Sequence, residues 1–160
     1  MDSKIIVGVD CGVGGGIAFY MPIKKEVYAM PMPDTVDKIE KAFSFVLNNS
    51  IVYVEDVPPF VGANRPAARI FKLAKNYGVV LGVLAGLDID YKLVRPAVWM
   101  KAIGAGKKKE YSNDNKWKNH LKDLALDYFP KSKATLKTAD ALLILEYGMQ
   151  QYFSKEVAND

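Results

Sequence analysis

Ile5-Ile6-Val7-Gly8-Val9 is a β-branched run that stops at Asp10 and a glycine cluster, the pattern of a buried strand. Gly14-Gly15-Gly16 gives way to Ile17-Ala18-Phe19-Tyr20, and Lys25-Glu26-Val27-Tyr28-Ala29-Met30 follows within hairpin distance. The spacing predicts three strands in an antiparallel meander. The apolar period then changes to 3.6: Val36, Ile39, Phe43, Val46 and Leu47 predict a helix over 35–48, with Asp34 as its N-cap. Ile51-Val52-Tyr53-Val54 is a fourth strand ending at Glu55. Asn64 caps a long helix with Pro66 in its first turn, running to about Leu87. Residues 90–94 make a fifth strand, closed by Arg95-Pro96. Short helices are expected over 97–103 and 115–128, and a last helix over about 139–147 with Gly148 as its stop. This order describes an α/β protein, a five-stranded mixed sheet flanked by helices. There is no repeat and no low-complexity linker; the segment 104–109 is the one expected to be mobile.

Composition narrows the class. Half of the 160 residues are apolar, which excludes intrinsic disorder, and the length fits one domain spanning 1–160. The single cysteine, Cys11, excludes an intramolecular disulfide and suits a reducing, cytoplasmic setting. Met1-Asp2-Ser3-Lys4 runs straight into the first strand without a signal-peptide core. The longest apolar tract, 79–87, is about half a membrane span, so no membrane association is expected. Net charge is only +4, yet the segment from Lys101 to Lys137 holds ten lysines against four acids, leaving the remainder at −2. Clustered lysines attract phosphate backbones, although a solvated helix face would look the same.

Three acids sit where a core would not place them. Asp10 ends the first strand, Glu55 ends the fourth, and Asp140 lies in the first turn of Ala139-Asp-Ala-Leu-Leu-Ile-Leu. A buried carboxylate costs roughly several kcal/mol unless it is paired or metal-bound, and a helix N-terminus offsets only about 0.3–1 kcal/mol of that for Asp140. Were the first and fourth strands neighbours, Asp10 and Glu55 could converge, with Asp140 brought in by the last helix. Three carboxylates without a histidine or thiolate cluster favour a hard ion, Mg²⁺ or Mn²⁺. Hard cations beside a basic surface suggest metal-assisted phosphodiester hydrolysis. Taken singly, each acid could instead be a cap, a turn residue or an exposed strand end.

Val-Gly-Val-Asp10-Cys-Gly-(x)-Gly-Gly-Gly-Ile-Ala, then Ile-Val-Tyr-Val-Glu55, then Thr138-Ala-Asp140-Ala-Leu-Leu-Ile resembles the RuvC-type Holliday-junction resolvases of the RNase H-like superfamily, whose small phage-encoded versions match in length. The resemblance implies a homodimer that binds four-way or other branched DNA and nicks opposed strands with two metal ions per site. In-line attack of an activated water would leave a 5′-phosphate with no covalent enzyme intermediate. Bacterial members place a fourth ligand one helical turn before the final aspartate; here that position is Lys137. A protonated ammonium cannot ligate a metal, so Lys137 either contacts the scissile phosphate or is an ordinary solvated lysine. In bacterial members an apolar side chain shortly after the second carboxylate wedges into the junction; Phe60, slightly offset, is the candidate here, with a core or hinge role as the alternative.

Ala74, Gly78, Gly82 and Gly86 repeat at i+4 along the long helix. Glycine costs about 1 kcal/mol there, so the stripe implies close approach, either to the chain's own sheet or, as the resemblance implies, to a dimer partner. Gly12 and Gly14–Gly16 read as a tight hairpin rather than a phosphate cradle, because no helix N-terminus follows them. Gly104-Ala-Gly106-Lys107 is no P-loop: Lys101 stands at the first glycine position and Lys108 replaces Ser/Thr. Arg65 and Arg69 could reach phosphates near Glu55 or pair with surface acids. Lys107, Lys108, Lys109, Lys116 and Lys118 are the expected contacts to duplex arms. Trp117 either stacks on a base or anchors its helix; His120 is expected at the surface, and Cys11 as a small buried residue. The leading expectation is a metal-dependent structure-selective endonuclease; the rival is a branched-DNA-binding protein of the same fold with weak or no cleavage. The Asp-x-Gly start also occurs in actin-like and sugar-kinase ATPases, but those need two domains, and 160 residues cannot supply both.

Overall fold

The structure, a computed structural model, describes residues 4–47, 49–59 and 66–157, the side chains of 156 and 157 excepted. Strands β1 (Ile5–Asp10), β2 (Gly16–Met21) and β3 (Glu26–Pro31) form an antiparallel meander. Helix α1 (Val36–Ser44) leads to β4 (Ser50–Glu55), which lies parallel to β1, and α2 (Ala67–Gly86) leads to β5 (Tyr91–Val94), parallel to β4. The sheet order is β3-β2-β1-β4-β5. Three further helices follow: α3 (Pro96–Ala102), α4 (Asp114–Tyr128) and α5 (Ala139–Val157).

The strands bury side chains on both faces, so the sheet separates two apolar clusters. Val7, Val9, Val52 and Val54 pack with Ile39 and Phe43 of α1 and Val80 and Leu84 of α2. Ile6 and Tyr53 pack with Trp99 of α3, Leu121 of α4 and the run Ala141–Leu145 of α5. Among the described residues no helix is long and apolar enough to cross a membrane.

Several boundaries differ from the sequence expectation, among them the start of α2, where Pro66 is the N-cap itself and the helix begins at Ala67. Thr35, not Asp34, caps α1, its side chain accepting from Lys38 N, while Asp34 pairs with the Lys38 ammonium at 2.7 Å. The helix ends at Ser44, and Val46 is buried from a turn closed by its N–H to the Phe43 carbonyl. Gly148 does not stop α5, which runs nine residues further, to Val157. A Cβ at Gly148 would stand 2.6 Å from the Tyr53 ring, so this glycine lets the helix lie close on the sheet. Gly8 does the same from the strand side, where a Cβ would come 2.3 Å from Leu145 N. Close contact at these two points lays α5 across β1 and β4, with Asp140 at its leading end.

The segment expected to be mobile is pinned in its middle. Ala105 is fully buried, its N–H bonded to the Met100 carbonyl and its own carbonyl receiving His120 Nε2 at 2.8 Å. Gly104 and Gly106 flank it at φ +69° and +79°, a region that side chains rarely adopt.

Candidate active site

The parallel register pairs Val9 with Val54, so one residue further Asp10 lies beside Glu55 at the carboxyl ends of neighbouring strands. Asp10 is wrapped by its own glycine loop. The Gly12 N–H donates to its Oδ1 at 2.9 Å, and Gly15 N–H closes the turn on the Gly12 carbonyl at 2.8 Å. A Cβ at Gly15 would stand 2.5 Å from the Asp10 carboxylate. The glycine run therefore makes a hairpin that leaves room for one acid.

Glu55 is held differently. The indole Nε1–H of Trp99, a fully buried residue of α3, donates to Glu55 Oε2 at 2.9 Å. The sequence reading missed this residue, and its only local signal was a tryptophan one turn into a helix starting Arg95-Pro96. Asp140 enters from the first turn of α5. All three carboxylates are half-buried.

Their electrostatics agree with one shared site. Burial pushes the Asp10 carboxyl above its usual range, against the Gly12 N–H and the charge of Lys118, which lower it. Burial, then repulsion from Asp10 and more weakly from Asp140, pushes Glu55 up to about 8, opposed by the Trp99 bond. Burial and Asp10 push Asp140 up to about 7, opposed by Lys118. Glu55 thus feels both other acids, and Asp140 feels Asp10. Even so, among the described residues no three such donors close into a cage around a single point. The donors themselves, hard oxygens at mutually repelling sites, fit a hard divalent cation.

The basic residues divide by position. Lys118 of α4 is exposed and brings its charge to bear on Asp10 and Asp140. Lys137, just before α5, is exposed; its N–H bonds Thr135 Oγ1, and its carbonyl lies 2.9 Å from where a Gly16 Cβ would stand. Lys108 pairs with Asp114 at 2.9 Å on a short 3₁₀ turn, Lys108–Glu110. Lys107, Lys109 and Lys116 are exposed on the same side of the chain order, and Arg69 is exposed at the start of α2. Phe60 and Arg65, like the expected cap Asn64, lie outside the described residues.

Trp117 is buried, with its ring 5.2 Å from that of Tyr111, so it anchors α4 and offers no face for a base. His120 is half-buried rather than at the surface, stacked on Tyr111 at 4.8 Å. Cys11 is buried, and its thiol is pushed far up by burial and by Asp10 and Glu55, which leaves it inert as a nucleophile.

Gly78, Gly82 and Gly86 have nothing within 4 Å of a would-be Cβ. The stripe on α2 therefore faces away from the chain's own sheet, and Phe71, 68% exposed, precedes it on the helix.

No protein-family model matches the chain, and no curated protein does. Solved structures do. Thermus thermophilus RuvC in complex with a Holliday junction substrate superposes with a TM-score of 0.63 at 11% identity, covering 96% of each chain. A second structure of Thermus thermophilus RuvC gives 0.56 at 16% identity, again over 96% of each. The fold is the RNase H-like fold of these RuvC structures, a five-stranded mixed sheet flanked by five helices.

Proposed function

We propose that this protein is a metal-dependent endonuclease that resolves Holliday junctions or other branched DNA by phosphodiester hydrolysis. The observation that carries the reading is the convergence of Asp10 and Glu55 at the carboxyl ends of neighbouring parallel strands, with Asp140 in the first turn of the helix packed across them. Asp10, Glu55 and Asp140 would hold Mg²⁺ or Mn²⁺, with a second ion at the same acids. Such ions polarise a phosphoryl oxygen and lower the pKa of water.

The chain's own residues have separable tasks. Gly12 orients Asp10, and Trp99 orients Glu55. Lys118, facing Asp10 and Asp140, is suited to guide the scissile phosphate in and to offset charge that develops on it. Lys137 stands where the bacterial family has a ligand, and serves as a phosphate contact. Lys107, Lys108, Lys109 and Lys116 would bind the duplex arms, Arg65 and Arg69 would reach phosphates near Glu55, and Phe60 would meet the branch point. The outward small-residue face of α2 suits close approach of a second copy, giving a homodimer with two sites for opposed strands. A cytoplasmic location goes with the same reading, that of the bacterial host were the chain phage-encoded.

The rival, a binding protein of the same fold with weak or no cleavage, draws on Lys137 and on the open arrangement of the three acids. Labelled four-way junctions incubated with Mg²⁺ or Mn²⁺ separate the two: nicks leaving 5′-phosphates are expected, and binding without nicks at any metal concentration leaves only the rival.

A further inference from the structure

Helix α2 makes two consecutive side-chain bonds across to the sheet. Asn76 Nδ2 donates to the Cys11 carbonyl at 2.7 Å, and the Tyr77 hydroxyl donates to Asp56 Oδ1 at 3.0 Å. Cys11 and Asp56 are each the residue directly after a candidate metal ligand, Asp10 in one case and Glu55 in the other. Side chains alternate along a strand. Val9, Cys11 and Val54 face α1 and α2, so the alternation sends Asp10 and Glu55 to the opposite face, towards Trp99 and α5. The two carboxylates are thus gripped from behind, one residue on, by one turn of one helix.

The strand ladder leaves this work undone. The register between β1 and β4 runs to Val9 and Val54, one residue before each acid, while Asp10 pairs with Gly16 of β2 and Glu55 with Val94 of β5. Asp56 gains one further backbone bond, its N–H to the Val94 carbonyl at 2.8 Å, which ties it to β5 and not to β1. Beyond that register, Asn76 and Tyr77 tie the residues that follow Asp10 and Glu55 to one turn of α2. Both are half-buried, and burial together with Asp56 pushes the Tyr77 hydroxyl up to about 12, so it donates at any working pH.

We propose that Asn76 and Tyr77 are positioning residues that set the separation of Asp10 and Glu55, and with it the affinity of the site for its divalent cation. The inference rests on the reading of those carboxylates as metal ligands. Groups that orient a ligand typically change metal affinity by roughly 10–100-fold when removed, and these act one residue away, so about three- to tenfold is expected for each.

The test titrates Mn²⁺ into the full-length protein without DNA and reads free Mn²⁺ by electron paramagnetic resonance, for wild type, Tyr77→Phe, Asn76→Ala and Asp56→Asn. Tyr77→Phe and Asn76→Ala should each weaken Mn²⁺ binding while junction affinity in metal-free buffer stays within about twofold. Their nicking rates should recover at high Mn²⁺, which a loss of folded protein would not allow. Asp56→Asn keeps an acceptor for the tyrosine and should bind Mn²⁺ as wild type does. Unchanged Mn²⁺ affinity in a folded Tyr77→Phe and a folded Asn76→Ala would overturn the proposal. So would an Asp56→Asn loss as large as that of Tyr77→Phe, which would make Asp56 itself the group that matters. Wild type that neither binds Mn²⁺ nor nicks junctions would instead defeat the nuclease reading on which this rests.

Discussion

Asp10, Glu55 and Asp140 are each held nearer to neutrality than a carboxylate in water, and burial is the largest cause for all three. A carboxyl whose pKa is higher folded than unfolded favours the folded state most below the unfolded value. That advantage is lost as pH rises through the folded value. For Glu55 the window runs from 4.5 to about 8, and for Asp140 from 3.8 to about 7. The metal-free protein should therefore lose stability steadily between about pH 5 and pH 8, and Mg²⁺ or Mn²⁺ should restore it. Thermal melts with and without chelator across that range check this. Replacing Asp10 by Asn should raise the metal-free melting temperature at pH 8 by roughly 2–6 °C, since it removes one of the repelling charges. Trp99→Phe keeps an aromatic ring but leaves Glu55 Oε2 without its donor; nicking should fall by about tenfold and the metal-free stability loss should grow. The three acids were legible in the sequence because each interrupts an apolar run. Trp99 was not, because what matters about it is the partner it reaches, 44 residues away at Glu55, and Lys118 was read as a contact to duplex arms without its bearing on Asp10 and Asp140.

At the level of elements, glycine carried two opposite meanings that the sequence alone does not separate. On α2, Gly78, Gly82 and Gly86 face open space; on α5, Gly148 faces the Tyr53 ring. A glycine late in an apolar helix reads as a stop, yet here close packing holds the helix through it, with Tyr152 and Phe153 beyond it still meeting aromatic partners. Gly148→Ala should accordingly destabilise the protein by about 1–3 kcal/mol through overpacking against the sheet, measured by urea unfolding. Gly82→Glu meets nothing within its own chain. It should leave the monomer folded while shifting the sedimentation coefficient from dimer to monomer. A wild type that sediments as a monomer at micromolar concentration would remove the partner-facing role of α2. The antiparallel meander of β1 to β3, by contrast, was readable from hairpin spacing, because short connections admit few alternatives, while the pairing of β1 with β4 entered only as a condition.

For the whole molecule, a net charge of +4 conceals a basic segment, 101–137, set against an acidic site. Lys108 pairs with Asp114 at the surface, so its contact with a phosphate would come in exchange for that ion pair. Junction affinity should fall with salt by about 0.9 log units per log unit of salt for each phosphate neutralised. Lys118→Ala should reduce that slope by about one while also depressing the nicking rate. The most direct measurement is cleavage of a labelled four-way junction by wild type and by Asp10→Asn, each with and without Mg²⁺ or Mn²⁺. Metal-dependent nicking by wild type, and binding without nicking by Asp10→Asn, is the expected result. Nicking that survives Asp10→Asn, or that proceeds with the metal chelated, would contradict the assignment of the three carboxylates as the catalytic centre.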